Sequence, residues 1–343
     1  ADYYWKGKHP AWAYFTSVPF GLTHNEQNAW INHMGGQALW DEVASGFGLK
    51  CLMAGSTGVQ MGGWFNKEIN SADDLKGLKM RIPGLGGDVM AKLGASPVSL
   101  PGGQIYENLV SGAIDATEWV GPWNDFFMKF YEAAKYYYYP GMHEAGSTLA
   151  LGMNEKWWSD LGKTDQEIIR AACGEEHTWS MSEYNANNGT YLTKLVKENG
   201  VELREFNDDI YDSFGTAAEE VFAETVAHSD LAKRTHESFV AARADLFAAG
   251  HARAMGRGLG GGVIAGGQAP VRRHHPRADR GRPNRGPGRG SAQDRRTTHV
   301  EPRSHGLDVA HALFQWPGGA IPPRAGRIAG APYGRSHVQS ARF

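Results

Sequence analysis

The sequence contains only two cysteines, Cys51 and Cys173, among 343 residues. Two thiols cannot build a disulfide framework or a cysteine metal site, and they suit either redox compartment. Long apolar runs are also missing, since stretches such as 51–54 fall far short of the roughly 20 residues that a membrane helix needs. The chain begins at Ala1, without a basic segment followed by an apolar one. We therefore expect any targeting signal to be absent from this sequence.

The usual signatures of several enzyme classes are absent as well. No HExxH, GxSxG or GxxxxGK[ST] segment occurs, and neither cysteine has a convincing local histidine partner. These absences weaken a hydrolase, a zinc-protease or a P-loop interpretation. His24 and His33 are nine residues apart, so on a helix they do not share a face as an i, i+4 metal pair would. We interpret both as surface histidines.

Lysine is missing from the last 93 residues, and the charge of the chain is divided unevenly. Residues 251–343 contain 16 arginines and four acidic residues, a formal charge of +12. Residues 1–250 contain 19 basic and 33 acidic side chains, a formal charge of −14. Arginine, glycine, proline and histidine make up 49 of the residues 251–343, here called the Arg/Gly-rich tail. Too few apolar side chains remain there to offset the entropy of ordering the segment.

Three interpretations of the Arg/Gly-rich tail follow from its composition. We favour a disordered segment read out of frame, because its abundant residues have GC-rich codons and a frameshifted GC-rich gene would encode this composition. The alternatives are a disordered linker and a nucleic-acid-binding arm. The absence of lysine counts against the arm.

The first 250 residues alternate strand-like and helix-like segments. The apolar alternation Leu78, Met80, Ile82 predicts a strand, and Ser71 with Asp74 three residues later predicts a capped turn before it. Further strands are predicted at 97–100, 112–117, 136–139 and 201–206, and helices at 88–93, at 104–110 and within 209–250. This order predicts an α/β fold with a mostly parallel sheet covered on both faces.

A helical pattern without proline extends over residues 164–199. Gly174 and Gly189 lie inside it, and each costs a helix about 1 kcal/mol relative to alanine. Gly200 suits the position just after the helix. About 35 residues at ~1.5 Å each would give roughly 50 Å, long enough to brace two lobes.

Polar residues lie at or shortly after the ends of several apolar or strand-like segments, namely Gln60, Arg81, Glu118 with Trp119, and Glu144. In open α/β sheets the ligand crevice lies at the carboxyl ends of the strands. The oxygens of Gln60, Glu118 and Glu144 form a set suited to Na⁺ or Ca²⁺ rather than Zn²⁺. Arg81 needs an anionic partner, and both a ligand carboxylate and an internal salt bridge remain open.

Four segments resemble the substrate-binding subunits of TRAP transporters, in the branch that captures 2-oxo acids such as pyruvate. They are GVQMGGWFNKEINSADDLKGLKMRIPG (58–84), PGGQIYENLVSGAIDATEWVGP (101–122), AKYYYYPGMHE (134–144) and MNEKWWSDL (153–161). The resemblance covers residues 1–250. It implies a non-enzymatic periplasmic receptor with an α/β, two-lobed periplasmic binding protein fold, type II-like, and a long helix bracing both lobes.

The resemblance also implies roles for the polar residues. Arg81 falls at the position that clamps the ligand carboxylate. Gln60, Glu118, the Trp119 carbonyl and Glu144 fall at positions that hold Na⁺ or Ca²⁺, and this ion bridges the substrate oxygens. Gln60, Arg81, Trp119 and Glu144 are thus the predicted substrate contacts. The implied ligand is a small 2-oxo or 2-hydroxy monocarboxylate, handed to TRAP membrane subunits for Na⁺-driven uptake. A homodimer is also predicted, and no nucleic acid partner.

The resemblance implies the following division of the chain. Residues 1–56 are a remnant of the first lobe, and 57–145 form the second lobe with most ligand residues. Residues 146–185 return to the first lobe and enter the long helix, and 186–250 return to the second lobe. Family members begin with a signal peptide and a first βαβ portion that this sequence lacks, so we expect an incomplete first lobe. The family pattern ends near Gly250.

Two other functions remain open from the residues alone. One is an enzyme acting on small organic acids, with Glu118 and Glu144 as an acid/base pair. The other is nucleic-acid binding through the basic tail, which would show a steep salt dependence.

Overall fold

The computed structural model describes residues 1–254, with side chains described up to residue 248. The interpretations of the Arg/Gly-rich tail lie outside the described residues. The helices are α1 (His24–His33), α2 (Gly36–Ser45), α3 (Gly84–Lys92), α4 (Gly102–Val110), α5 (Pro122–Phe127), α6 (Glu155–Asp160), α7 (Lys163–Glu198), α8 (Asp208–His228) and α9 (Asp230–Ala254). The strands are β1 (Leu49–Ser56), β2 (Gly63–Phe65), β3 (Lys79–Arg81), β4 (Ser96–Val98), β5 (Ala116–Thr117), β6 (Tyr136–Tyr139), β7 (Thr148–Asn154) and β8 (Glu202–Glu205). None of the helices in this described region is long and apolar enough to cross a membrane.

Two sheets organise these elements. The larger sheet has the strand order β4-β3-β5-β2-β6-β8, and the smaller one pairs β1 with β7. The predicted α/β class is confirmed, and five of the six strands of the larger sheet run in one direction, as predicted for a mostly parallel sheet. Strand β2 runs antiparallel to both of its neighbours, β5 and β6, so the sheet is mixed. A three-residue strand has no periodicity that reveals its direction, and here the path of the chain between distant strands decides it.

The predicted elements around the sheet are present, with shifted ends. Strand β6 has the predicted bounds, whereas α3 begins at Gly84, four residues before the predicted helix start. Gly86 lies inside α3 because the helix packs closely on the loop after β6. A Cβ atom at Gly86 would lie 2.6 Å from the Cβ atom of His143, closer than such atoms approach. This glycine therefore serves packing and does not mark the end of a helix.

The long helix α7 is unbroken over 36 residues, as predicted, with both internal glycines inside it. Gly200 follows it with a φ of +68°, the left-handed conformation that glycine adopts most easily. Helix α7 contacts β1 of the small sheet, and it also contacts α5, which follows the large sheet's β5. A single rigid element therefore spans both sheets.

The core is dominated by aromatic side chains. The Phe15 ring stacks on Trp30 and on Trp40, with centroid distances of 5.6 Å and 5.4 Å respectively. A second core cluster contains Trp64, which stacks on Tyr137. Aromatic pairs of this kind add about 0.5–1.5 kcal/mol beyond the burial of their area. Helix α8 packs against α3, whereas α9 packs against α1 and α2. The assignment of residues 186–250 to the second lobe stays a prediction.

Candidate functional site

The sheet brings Arg81 and Glu118 together. Arg81 ends β3, and Glu118 directly follows β5, which lies beside β3 in parallel. Because the carboxyl ends of parallel strands meet at one edge, the two side chains become neighbours. Arg81 is 1% exposed and Glu118 is fully buried. A charged pair taken this far out of water must be compensated by direct contacts.

Each of the three nitrogens of the Arg81 guanidinium group donates a hydrogen bond. Nη1 donates to the backbone oxygen of Glu118 at 3.1 Å and to its carboxylate. Nη2 donates to the Tyr4 hydroxyl at 2.8 Å, and Nε donates to the Leu100 carbonyl at 3.4 Å. The Trp119 ring lies 5.2 Å from the guanidinium carbon. The structure thus contains the internal salt bridge that the sequence left open, and within residues 1–248 one N–H of Nη2 has no acceptor.

His143 is a member of this site that sequence reasoning missed. It is buried, and its Nε2 lies 3.2 Å from the second carboxylate oxygen of Glu118. Burial lowers the pKa of His143, but the hydrogen bond to Glu118 and the negative charges nearby outweigh it, so the pKa rises above its usual value. Glu118 is therefore flanked by Arg81 and by a histidine that favours its charged form. The only sequence signal was the position of His143 directly before Glu144.

Glu144 and Gln60 each present a buried oxygen without a hydrogen-bond partner among the described residues, Oε2 and Oε1 respectively. Burial, followed by the charge of Glu118, raises the pKa of Glu144 to about 7. The amide nitrogen of Gln60 donates to the Thr57 hydroxyl at 3.0 Å, which turns the amide oxygen away from it. A buried polar atom without a partner costs roughly 1–3 kcal/mol. Such atoms commonly mark the place of a ligand, ion or water.

These donors fit a hard cation. One oxygen of Glu118, one ring nitrogen of His143 and one oxygen of Glu144 lie within 4.8 Å of one another. Carboxylate and amide oxygens are the ligands that Na⁺ and Ca²⁺ prefer, whereas the one imidazole is already engaged with Glu118. The assignment of Gln60, Glu118, Trp119 and Glu144 as metal ligands stays a prediction.

Two tyrosines from the start of the chain also reach the site, and sequence reasoning missed both. Tyr3 and Tyr4 lie in a single 3-10 turn, Asp2–Trp5. Tyr3 hydrogen-bonds Glu144, and burial together with the charge of Glu144 raises the pKa of this tyrosine well above its usual value. An ion pair between Lys6 and Asp88 at 2.5 Å ties this part of the chain to α3. The DYYW segment carried no motif that could have placed it there.

Comparisons with known proteins show the family of this chain. Residues 1–229 match the family DctP, described as bacterial extracellular solute-binding protein, family 7. A protein of Nostoc sp. named "Monocarboxylate 2-oxoacid-binding periplasmic protein all3028" is 44% identical over 248 residues, covering 72% of this chain and 68% of the relative.

Two solved structures are similar along most of the described chain. The TRAP periplasmic solute binding protein of Colwellia psychrerythraea, with bound calcium and pyruvate, has a TM-score of 0.70 and 40% identity, covering 72% of this chain and 76% of that one. The protein from Pseudoalteromonas atlantica, with bound sodium and pyruvate, has a TM-score of 0.70 and 39% identity, covering 72% and 75%. The predicted fold of a TRAP solute-binding subunit is confirmed.

Proposed function

We propose that this chain, which belongs to the family of bacterial extracellular solute-binding proteins, family 7 (DctP), binds a small 2-oxo or 2-hydroxy monocarboxylate together with a cation. The observation that carries the proposal is the buried, unpartnered oxygen of Glu144, which is grouped with His143 and with Glu118, the ion-pair partner of the buried Arg81; Gln60 has a second such oxygen. The relatives support it, since the structures from Colwellia and Pseudoalteromonas contain pyruvate with calcium or sodium.

Arg81 would hold the carboxylate of the ligand. Nη2 can donate its free hydrogen to the ligand carboxylate, and displacement of the Tyr4 hydroxyl would free the second hydrogen of the same nitrogen. Tyr4 is 48% exposed, so its ring can move at little cost. The Trp119 ring beside the guanidinium group excludes water from one side of the contact.

Gln60, Glu118, the Trp119 carbonyl and Glu144 would hold the cation. When bound, the ion neutralises the carboxylates and offers a coordination position to the 2-oxo oxygen. Without a cation, Glu144 lies buried beside the charge of Glu118, and this raises its pKa to about 7. The site therefore favours a positive charge at Glu144 whether or not the ligand is present.

A receptor fits these contacts better than an enzyme does. The family consists of solute-binding receptors. Glu118, one half of the acid/base pair considered above, is already engaged by Arg81 and His143. We propose that the chain binds its ligand without turnover.

The location and partners follow from the same family. We propose that the chain acts in the periplasm, where the Nostoc relative is named, and passes its ligand to TRAP membrane subunits for Na⁺-driven uptake. We further propose a homodimer, which is supported by the exposed Trp179 and Ile168 on the long helix α7. Light scattering on the purified chain at two concentrations tests the dimer.

Isothermal titration calorimetry with pyruvate tests the proposed function. The full chain is titrated in Ca²⁺, in Na⁺, and in a Na⁺-free buffer with chelator. We expect binding to weaken about tenfold or more without a cation, within the 5–150-fold range typical of linked sites. Glu144→Gln should reduce that dependence, and Glu107→Gln, an exposed glutamate on α4, is the matched control. Equal affinity with and without cation would show that these carboxylates are structural.

A further inference from the structure

Buried polar atoms without partners are rare, and the described part of the chain has five in its side chains: Ser17 Oγ, His24 Nδ1, Gln60 Oε1, Glu144 Oε2 and His177 Nε2. The oxygens of Gln60 and Glu144 belong to the ligand site already described. The other three atoms have no role there. The segments that contain them nevertheless lie against the loops that follow β1 and β6, which contain Gln60 and Glu144.

His24 and the segment around Ser17 lie against the loop that follows Glu144. A Cβ atom at Gly146 would lie 2.4 Å from the backbone nitrogen of His24, so the two backbones touch. Thr148 donates its N–H to the carbonyl of Thr16 at 3.1 Å. Because Gly146 is two residues after Glu144, their Cα atoms are at most about 7 Å apart. The backbone at His24 and at Thr16 therefore lies beside the loop that follows Glu144.

His177 approaches the cleft from the middle of α7, where it is 3% exposed. Its Nδ1 lies 3.1 Å from the carbonyl oxygen of Gly55, near the end of β1 and five residues before Gln60. The two loops are joined directly, since Thr57 donates its N–H to the carbonyl of Ser147 at 3.1 Å. The imidazole is thus fixed at one ring nitrogen and free at the other.

The chemistry of these atoms specifies the group that they can bind. The Gly55 carbonyl can only accept, so Nδ1 of His177 carries the hydrogen and Nε2 keeps a lone pair. Burial lowers the pKa of His177, and burial with the charge of His177 lowers that of His24. Both rings therefore favour the neutral form, and His24, interpreted from the sequence as a surface residue, is half-buried. A hydroxyl group can donate to such an acceptor and accept from the Ser17 hydroxyl.

We propose that Ser17, His24 and His177 form a polar subsite for a hydroxyl group at the end of the ligand distal to its carboxylate. This rests on the proposed function and names the ligand class more closely, as 2-oxo acids with a terminal hydroxyl. In 4-hydroxy-2-oxobutyrate the hydroxyl oxygen is three bonds from C2, about 4 Å at ~1.5 Å per bond.

Calorimetry with a matched pair of ligands tests the subsite. The full chain, saturated with Ca²⁺, is titrated with 2-oxobutyrate and with 4-hydroxy-2-oxobutyrate, which differ by one hydroxyl. We expect the hydroxylated acid to bind about tenfold more tightly, the size of one well-placed hydrogen bond. His177→Asn keeps a donor for the Gly55 carbonyl but removes the Nε2 acceptor. In this variant the preference should fall to about twofold or less, while pyruvate affinity stays within about twofold.

Further variants separate the subsite from the rest of the site. Ser17→Ala removes one hydroxyl only and should also reduce the preference, which keeps the test valid if His177→Asn lowers the melting temperature. His33→Asn, an exposed histidine of α1, is the control and should leave the preference unchanged. Equal binding of the two acids, with pyruvate still bound, would overturn the subsite alone. Failure of every 2-oxo acid to bind would overturn the proposed function and the subsite with it.

Discussion

Replacement of Arg81 by lysine tests the proposed ligand contact and the stability of the site together. Lysine keeps the positive charge beside Glu118, so the buried carboxylate is not left alone. It cannot also reach the Tyr4 hydroxyl and the Leu100 carbonyl, and it loses the planar group that faces Trp119. Two lost hydrogen bonds at about 0.5–1.5 kcal/mol each and one cation–π contact at about 0.5–1 kcal/mol predict a destabilisation of roughly 1.5–4 kcal/mol.

The effect of Arg81→Lys on binding is expected to be similar in size. A compact ammonium group replaces the planar guanidinium group in the contact with the ligand carboxylate, so pyruvate should bind about 1.5–3 kcal/mol more weakly, roughly 10- to 150-fold. Urea unfolding measures the first quantity and calorimetry the second. Arg204→Lys is the matched control, because Arg204 pairs with Glu68 and Glu202 on the surface of the protein. Pyruvate binding unchanged in Arg81→Lys would refute the assignment of Arg81 to the ligand.

Three further predictions concern stability. Burial raises the pKa of Asp125 to about 7, so the folded state holds its proton more tightly than the unfolded state does between about pH 4 and 7. Stability should therefore fall as pH rises through that window, and melting curves of Asp125→Asn should show a smaller slope, since Glu144, whose pKa is also raised to about 7, keeps its own share. Gly86→Ala should cost about 1–3 kcal/mol, because its Cβ atom would strike His143, whereas Gly103→Ala on α4 meets open space and should be neutral or stabilising by denaturant unfolding. Gly174→Ala in α7 also meets open space and should stabilise by about 0.5–1 kcal/mol, and an unchanged unfolding midpoint would contradict this.

The site differs from its sequence-based description in its charge. The sequence placed two carboxylates, Glu118 and Glu144, against the single positive charge of Arg81. The structure adds His143, whose raised pKa lets it share the neutralisation of Glu118. Glu144 is then the carboxylate with an unpartnered oxygen. We therefore expect the dependence of ligand affinity on the cation to rest mainly on Glu144. This is why Glu144→Gln is the more informative variant of the two glutamates.

The sequence by itself determined the features that depend on local pattern. The tyrosine strand β6, the capped turn before β3 and the unbroken helix α7 were all readable, because periodicity, caps and breakers act within a few residues. The sequence predicted Gln60, Arg81, Glu118 and Glu144 as site residues from their positions after strand-like segments, and their roles stay a prediction. All four prove to be buried.

Only the tertiary structure decided which distant segments complete the site. Tyr4 meets Arg81 across 77 positions of sequence, and His177 meets Gly55 across 122. No local pattern encodes such contacts, because they depend on how α7 and the first turn of the chain pack against the sheets. The antiparallel direction of β2 could not be predicted for the same reason, since a three-residue segment has no sequence pattern that indicates which strands will lie beside it. Local propensity fixes the elements, and the burial of their shared apolar faces fixes which polar atoms meet.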